Sequence, residues 1–207
     1  MSVFTQGWSP EAPRAAEQHA EADLSDAEAP SRCVETAVAA LGRLDVLVAN
    51  HAASADQALE QLSAETIDRT LAVNVRATLL LVQAFAAAHD GAPGGRVILL
   101  TSGQARGPMP RELPYVASKG AVSALVLSLA DHLGPRGIAV NAVNPGPTDT
   151  GWASEEIYEQ VLPAMPSGRW GEPDDAARLI AWLASEDSGW VTGQVIDSDG
   201  GFRYGGA

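Results

Sequence analysis

Two runs in the chain, "RLDVLVAN" at 43–50 and "GRVILLTS" at 95–102, are of strand length and apolar at nearly every position. Such runs suit strands covered on both faces. Between them, "AETIDRTLAVNVRATLLLVQAFAAAH" sets Ile67, Leu71, Val75, Leu79 and Val82 close to helical spacing. Ser63 stands where a hydroxyl would cap the first turn, so the segment predicts one long amphipathic helix. "YVASKGAVSALVLSLADHLG" repeats the pattern through Val122, Leu125, Leu129 and Leu133, then meets Gly134-Pro135, which stops a helix. "GIAVNAVNPG" (137–146) and "GQVIDSDGG" (193–201) read as further strands. The intervening "PDDAARLIAWLAS" reads as a helix whose leading acids suit its positive N-terminal dipole. Strand and helix alternate, which predicts an α/β fold with a doubly wound, mostly parallel sheet. Ligands of such sheets lie beyond the carboxyl ends of the strands. Asn50, Ser102 and Pro145-Gly146 all fall on that edge.

A length of 207 residues suits one domain with a single sizeable core. The stretch from Ser9 to Pro30 is rich in Ala, Glu and Pro and poor in large apolar side chains, so residues 1–25 are expected to be irregular or partly disordered. Lys and Arg total 13 against 26 Asp and Glu, a formal charge of −13, which repels polyanions and argues against a nucleic-acid partner. The opening "MSVFTQGWSPEAP" has no basic n-region or long apolar h-region, and aliphatic runs such as "LLLV" at 79–82 are too short to span a bilayer. These features predict a cytoplasmic protein without a membrane partner. Cys33 is the only cysteine, which excludes an intrachain disulfide and a cysteine-based metal cluster; no metal site is expected.

The chemistry centres on "LPYVASKGA" at 113–121. On a helix, positions 115 and 119 share a face, so the Lys119 ammonium can approach the Tyr115 ring. A tyrosine titrates ordinarily near pH 10, and a nearby cation lowers that value and makes the phenol a better acid-base group. Taken alone, Tyr-x-x-x-Lys is a weak pattern. Ser102, at a strand end ahead of it, gives it a context: its hydroxyl can hold a carbonyl oxygen while the phenol donates to it.

The segments "LLTSGQ", "YVASK", "VNAVNPGPTDTGW", "GRWGEPDDAARLIAWLAS" and "TGQVIDSDGGF" occur in an order and spacing that resembles the short-chain dehydrogenase/reductase family, from about residue 20 to the C-terminus. The nearest branch includes 3-oxoacyl-carrier-protein reductase-like enzymes. The resemblance implies a Rossmann-like fold and hydride transfer between NAD or NADP and a small carbonyl or alcohol substrate. It makes Tyr115 the proton donor, Ser102 its orienting partner, and Lys119 both a pKa-lowering charge and a donor to the nicotinamide ribose. Asn74, in "AVNVRA", matches the asparagine that completes the family's catalytic tetrad and supports a water-linked proton path. Pro145, Gly146, Thr148 and Thr150 match the loop that passes the nicotinamide, Asn50 ends the strand beside the nucleotide, and Asp23 matches the acid beside the adenine. Trp152 and Tyr158, with Ile157 and Leu162, form an amphipathic segment that could cover an apolar substrate. Trp182, spaced with Leu179 and Leu183, and Trp190 read as core residues. Pairing through the two long helices into a homodimer or homotetramer is implied as well.

The departures are as informative. Where the family reads Asn-Asn-Ala-Gly, this chain has Ala49-Asn50-His51-Ala52, so a glycine that permits close backbone approach is replaced; His51 reads as a packed or surface loop residue. The family's Thr-Gly-x-x-x-Gly-x-Gly loop, which cradles a pyrophosphate at a helix N-terminus, has no counterpart in residues 1–50. "VFTQGW" then matches the family's second strand and "HAEADL" its third, which makes the sheet N-terminally incomplete. The family's first strand lies between the second and the fourth, so without it two strands face a gap. Three outcomes fit the sequence: the N-terminal segment pairs with the strand at 44–50, the first strands are disordered, or the natural protein starts earlier. Two functions follow, an NAD(P)-dependent oxidoreductase, or a cofactor-poor relative or truncated form that acts through assembly. The segment "TQGWSP" offers neither an acid for a ribose hydroxyl nor an arginine for a 2′-phosphate, which leaves NAD against NADP open.

Overall fold

Every strand pairing in the structure is parallel, and the strands fall into two separate sheets. A computed structural model of the chain describes residues 2–8 and 18–204. β1 (Phe4–Gly7) pairs with β2 (Gln18–Glu21). β3 (Val46–Ala49), β4 (Gly95–Leu100), β5 (Ile138–Asn144) and β6 (Val195–Asp197) form the second sheet in that order. α1 (Ala29–Leu41) follows β2, and α2 (Ala64–Leu71) and α3 (Ala77–Ala88) follow β3. α4 (Leu113–Leu133) lies between β4 and β5, with α5 (Glu155–Val161) and α6 (Pro173–Leu183) between β5 and β6. The architecture is the α/β parallel arrangement that the alternation predicts.

Among the described residues β1 and β2 pair with each other and β3 pairs with β4 alone, so neither β1 nor β2 fills the space beside β3. Nor are the first strands lost: the irregular character expected for residues 1–25 does not extend to Phe4–Gly7 or Gln18–Glu21, while the part of that expectation falling on 9–17 lies outside the described residues. The small sheet is anchored by α1, which touches both its strands and packs along α3.

β4 and β5 are central and almost wholly buried, and their mostly apolar sequences also bury Arg96, Asn141 and Asn144. On one face Val97, Leu99, Val140 and Ala142 pack with Phe85, Val122, Val126 and Leu133 of α3 and α4. On the other, Ile98, Leu100 and Val143 meet Leu183 of α6. This second layer is thinner. Val46 joins the cluster around Leu183, but Val48, two residues along the same face of β3, is 41 % exposed.

Ser63 caps α2 as expected, its hydroxyl accepting from Thr66 N at 3.2 Å. The long helix predicted after it is not uniform, however. Residues Ala72–Arg76 form a π-helical turn between α2 and α3. Two spans, Ala64–Ala88 and Leu113–Arg136, are long and apolar enough to cross a membrane by length and composition, which the short aliphatic runs alone do not suggest. In this fold they are neighbours packed on the sheet, and they bury Asn74 and Lys119.

Two tryptophans are misplaced by helical spacing alone. Trp182 is 41 % exposed and Trp190 100 % exposed, whereas Leu179, Leu183 and Val191 fill the interior positions. Leu183 takes the inward direction on α6, and the turn at Glu186–Ser188 carries Val191 rather than Trp190 onto the core.

The open face of β3 gives a stability test. Val48→Thr should change the unfolding free energy by less than about 0.5 kcal/mol, whereas Val97→Thr, at a position with 0 % exposure, should cost about 1–3 kcal/mol for its buried hydroxyl. Urea denaturation of both variants measures the contrast, and equal losses would show that β3 is covered.

Candidate active site

The carboxyl end of β4 delivers Ser102, and the irregular segment after it leads into α4, whose first two turns carry Tyr115 and Lys119. Pro114 opens that helix, where the missing proline N–H costs nothing. Tyr115 is partly buried, close enough to the Ser102 hydroxyl for that group to favour its phenolate, while Ser102 Oγ lies 4.0 Å from Met109 Sδ. The Lys119 ammonium lies 5.7 Å from the centre of the Tyr115 ring and donates to Leu100 O at 2.7 Å. Three of the expected site residues therefore meet at one strand end.

Their electrostatics differ from the expectation. Burial pushes the Tyr115 phenol above the usual tyrosine value; the Ser102 hydrogen bond pulls it back, and the Glu112 carboxylate adds to the rise. The ammonium over the ring is not what sets the phenol's direction. Burial lowers Lys119 itself to about 8. Tyr115 is protonated at neutral pH and fits the role of a proton donor.

Asn74 lies in the π-helical turn and is 1 % exposed. Its amide NH₂ donates to Ala53 O and to Ser118 Oγ, each at 2.8 Å, and its Oδ1 accepts from Ala53 N at 2.6 Å. Ser118 Oγ in turn donates to Tyr115 O at 2.7 Å. Asn74 thus joins the loop after β3 to α4 through Ser118, a residue the sequence reading passes over. The signal was present in "YVASK", since a small hydroxyl one position before the lysine faces the next helix.

His51 is neither a surface residue nor an inert one. Its Nε2 lies 3.0 Å from Val73 O and 3.3 Å from Thr78 Oγ1, while Thr78 Oγ1 donates to Asn74 O at 2.8 Å. A π-helical turn disturbs the regular ladder of backbone hydrogen bonds. His51 and Thr78 supply polar partners to two carbonyls of that turn. Burial, then the Lys119 charge, lower His51 to about 4, against the Val73 hydrogen bond.

Beyond β5, Gly146 adopts φ +63°, and a Cβ there would lie 2.4 Å from Asp199 Cβ. Asn144 Oδ1 accepts from Gly146 N at 3.1 Å, and Thr148 Oγ1 donates to Pro145 O and Gly146 O at 3.3 Å. Thr150 and Asn50 are exposed. The lid residues gather on Trp170, which is 2 % exposed: Tyr158 stacks on it at 4.9 Å, and Trp152 lies at 5.8 Å. Trp170 is the anchor that sequence spacing does not single out.

Asp23 is exposed beyond β2, where its carboxylate accepts from Ser25 N at 2.8 Å. That bond draws its pKa below the usual value. Arg69 of α2 lies 5.4 Å over the Trp8 ring, so a guanidinium reaches the end of β1 from a different element, which "TQGWSP" alone could not reveal.

A nicotinamide end fits these residues. Lys119 Nζ has three donors, of which Leu100 O takes one, while Gly146 leaves its Cβ position to the Asp199 side chain. The pyrophosphate end has no glycine cradle among the described residues: Gly7 and Gly42 are the only glycines before position 50.

An open parallel sheet with a Ser-Tyr-Lys cluster at its carboxyl edge defines an α/β oxidoreductase site. The chain belongs to the short-chain dehydrogenase/reductase family: the family model described as "Enoyl-(Acyl carrier protein) reductase" matches residues 6–203. It is 48 % identical over 185 residues to the uncharacterized oxidoreductase YjdA of Bacillus subtilis, covering 88 % of this chain and 74 % of that protein. It is 37 % identical over 194 residues to the short-chain dehydrogenase/reductase FrzI of Cladobotryum sp, covering 87 % and 74 %. A short-chain dehydrogenase/reductase from Serratia marcescens superposes with a TM-score of 0.83 at 37 % identity, covering 90 % of this chain and 76 % of that one. The angucycline ketoreductase LanV with bound NADP superposes at 0.82 with 35 % identity, covering 88 % and 74 %.

The histidine gives a pH signature. The folded protein takes up the His51 proton only near pH 4 and the unfolded chain near 6.5, so the unfolded state binds more protons between these values and stability falls as pH drops through them. The stability difference between the wild type and His51→Gln should shift against the wild type by up to about 3 kcal/mol between pH 7 and pH 4. Urea titrations at both pH values measure it, and a pH-independent difference would show that His51 titrates normally.

Proposed function

We propose that this chain carries the site of an NAD(P)-dependent reductase acting on a ketone or 3-oxoacyl group, or on the corresponding alcohol in reverse. The observation that carries this reading is the meeting of Ser102, Tyr115 and Lys119 at the end of β4. A reduced nicotinamide, when bound, supplies the hydride. Ser102 Oγ holds the substrate carbonyl oxygen, and the protonated Tyr115 phenol donates to that oxygen as charge develops on it. Lys119 offers its remaining donors to ribose hydroxyls, and its charge stabilises the phenolate left behind. Asn74 keeps the catalytic helix in register with the loop after β3. Pro145, Gly146, Thr148 and Thr150 border the nicotinamide, Asn50 and Asp23 lie on the nucleotide's edge, and Trp152 and Tyr158 close over an apolar substrate.

A specific observation favours a second reading, in which the chain is a cofactor-poor relative or an N-terminally truncated form that acts through assembly: among the described residues β1 and β2 pair apart from the sheet β3-β4-β5-β6. Titration with NADPH and NADH, followed by tryptophan fluorescence, separates the two. The reductase reading expects a saturable change, since Trp152 and Trp170 adjoin the loop at 145–150. No saturable change at millimolar nucleotide favours the second reading.

Either reading accommodates a homodimer or homotetramer. Leu127 (69 % exposed), Trp190 (100 %) and Val195 (44 %) are large apolar side chains open to solvent, and Leu127 Cδ1 lies 3.2 Å from a Cβ position on Gly193, two residues before Val195. Light scattering at micromolar concentration should give at least twice the 21.5 kDa chain mass. Trp190→Glu should shift the distribution toward the monomer, and a monodisperse monomer of the unaltered protein would refute the assembly.

A further inference from the structure

Ser102 sits where regular structure ends. After β4 the chain makes a single 3-10 turn, Gly103–Ala105, and runs irregularly to α4. The bonds Arg106 N to Gly103 O and Gly107 N to Gly103 O shape the turn from within, but they do not fix it to the sheet. The far end of this irregular run is held at the loop after β3, through Glu112 and Leu113 at Gln57 and the Arg111–Asp56 ion pair, while the turn itself meets the C-terminal segment.

The Tyr204 ring lies against Gly103. A Cβ on Gly103 would come within 1.8 Å of Tyr204 Cε1, and one on Gly107 within 2.1 Å of Tyr204 O. The loop admits this tyrosine because both positions lack side chains. Arg106 lies 5.8 Å over the same ring and forms an ion pair with Asp197 at the end of β6. The Tyr204 hydroxyl accepts from Asn144 Nδ2 at 2.8 Å, and that amide also donates to Asp197 Oδ1 at 2.9 Å. Asn144 is 1 % exposed and its Oδ1 holds Gly146 N, so one buried side chain connects the tyrosine, β6 and the Pro145-Gly146 loop. Arg203 N donates to Ala164 O at 3.1 Å, and Phe202 meets the Tyr204 ring edge-on at 4.6 Å.

We propose that Tyr204 is a positioning residue for the Ser102 hydroxyl: its ring, seated on Gly103 and Gly107 and pinned by Asn144, fixes the serine loop to the end of β5. The inference rests on the Ser102–Tyr115 pairing of the proposed reductase. Removing the ring leaves a hole beside the residue next to Ser102, and the hydroxyl then loses its fixed relation to the phenol. Removing only the Tyr204 hydroxyl leaves the ring contact with the glycines in place.

The chain contains three tyrosines, Tyr115, Tyr158 and Tyr204. In a Tyr158→Phe background, Tyr204→Phe and Tyr204→Ala each leave Tyr115 as the only phenol. Its ¹³Cζ resonance at neutral pH then reports the hydrogen bond to Ser102 without nucleotide or turnover. Ser102→Ala in the Tyr204→Phe background sets the size of the shift on losing that bond. Tyr204→Ala is expected to shift the resonance by most of that amount, and adding Ser102→Ala to it should cause little further change. A full Ser102→Ala shift with none from Tyr204→Ala overturns the inference alone, as do shifts that simply add. No shift from Ser102→Ala overturns the Ser102–Tyr115 pairing and the inference with it. Tyr204→Leu, which fills much of the space without reaching Asn144, carries the same test if the alanine variant does not fold.

Discussion

One buried amide holds the parts of this site in register. Asn74 bonds to both backbone groups of Ala53 and to Ser118 Oγ, so the loop after β3, the π-helical turn and α4 converge on a single side chain. The turn is what brings the asparagine inward, and it disturbs the helical backbone there. His51 and Thr78 provide partners to two of its carbonyls. A polar cluster at this depth is stable only when its members are paired, because an unpaired buried group costs about 1–3 kcal/mol. His51, in the loop where the family reads Asn-Asn-Ala-Gly, is thereby part of the structural solution that presents Tyr115 and Lys119.

The placement of Ser102, Tyr115 and Lys119 at one strand end was largely legible in the sequence, and the reason is physical. Strand-length apolar runs, a serine at a strand end and a Tyr-x-x-x-Lys face are local patterns, and the backbone periods of strand and helix translate them directly into space. The π-helical turn was not legible, because "AVNVRA" is compatible with a continuous helix and the partners of its carbonyls, His51 among them, come from elsewhere in the sequence. Ser118, Trp170 and Tyr204 escaped for the same reason: each matters through a partner brought near by folding, in Asn74, Tyr158 and Gly103 respectively. Trp182 and Trp190 show the reverse error, since apolar character at helical spacing does not say which of several neighbours turns inward.

The sign of the Tyr115 shift also required three dimensions. Sequence spacing places a cation on the tyrosine's face, but it cannot tell a ring contact from a hydroxyl contact, nor how much water the fold removes. Burial decides the outcome for both groups and moves them in opposite directions, the phenol up and the ammonium down. Both shifts favour the neutral forms. At neutral pH the phenol stays neutral, while the ammonium, lowered only to about 8, keeps its charge beside it.

The divided sheet bears on how the molecule behaves in a crowded solution. β1 and β3 each present an edge that is not paired with another described strand, and a bare strand edge is a template for pairing with another chain. At −13 the molecule carries a large like charge, and two copies repel one another before such edges can meet. Salt screens that repulsion over a Debye length of about 10 Å at 0.1 M, while backbone pairing at short range is screened far less. Colloidal stability is consequently tied to ionic strength, with the acidic surface serving as a long-range guard for an edge that the fold leaves open.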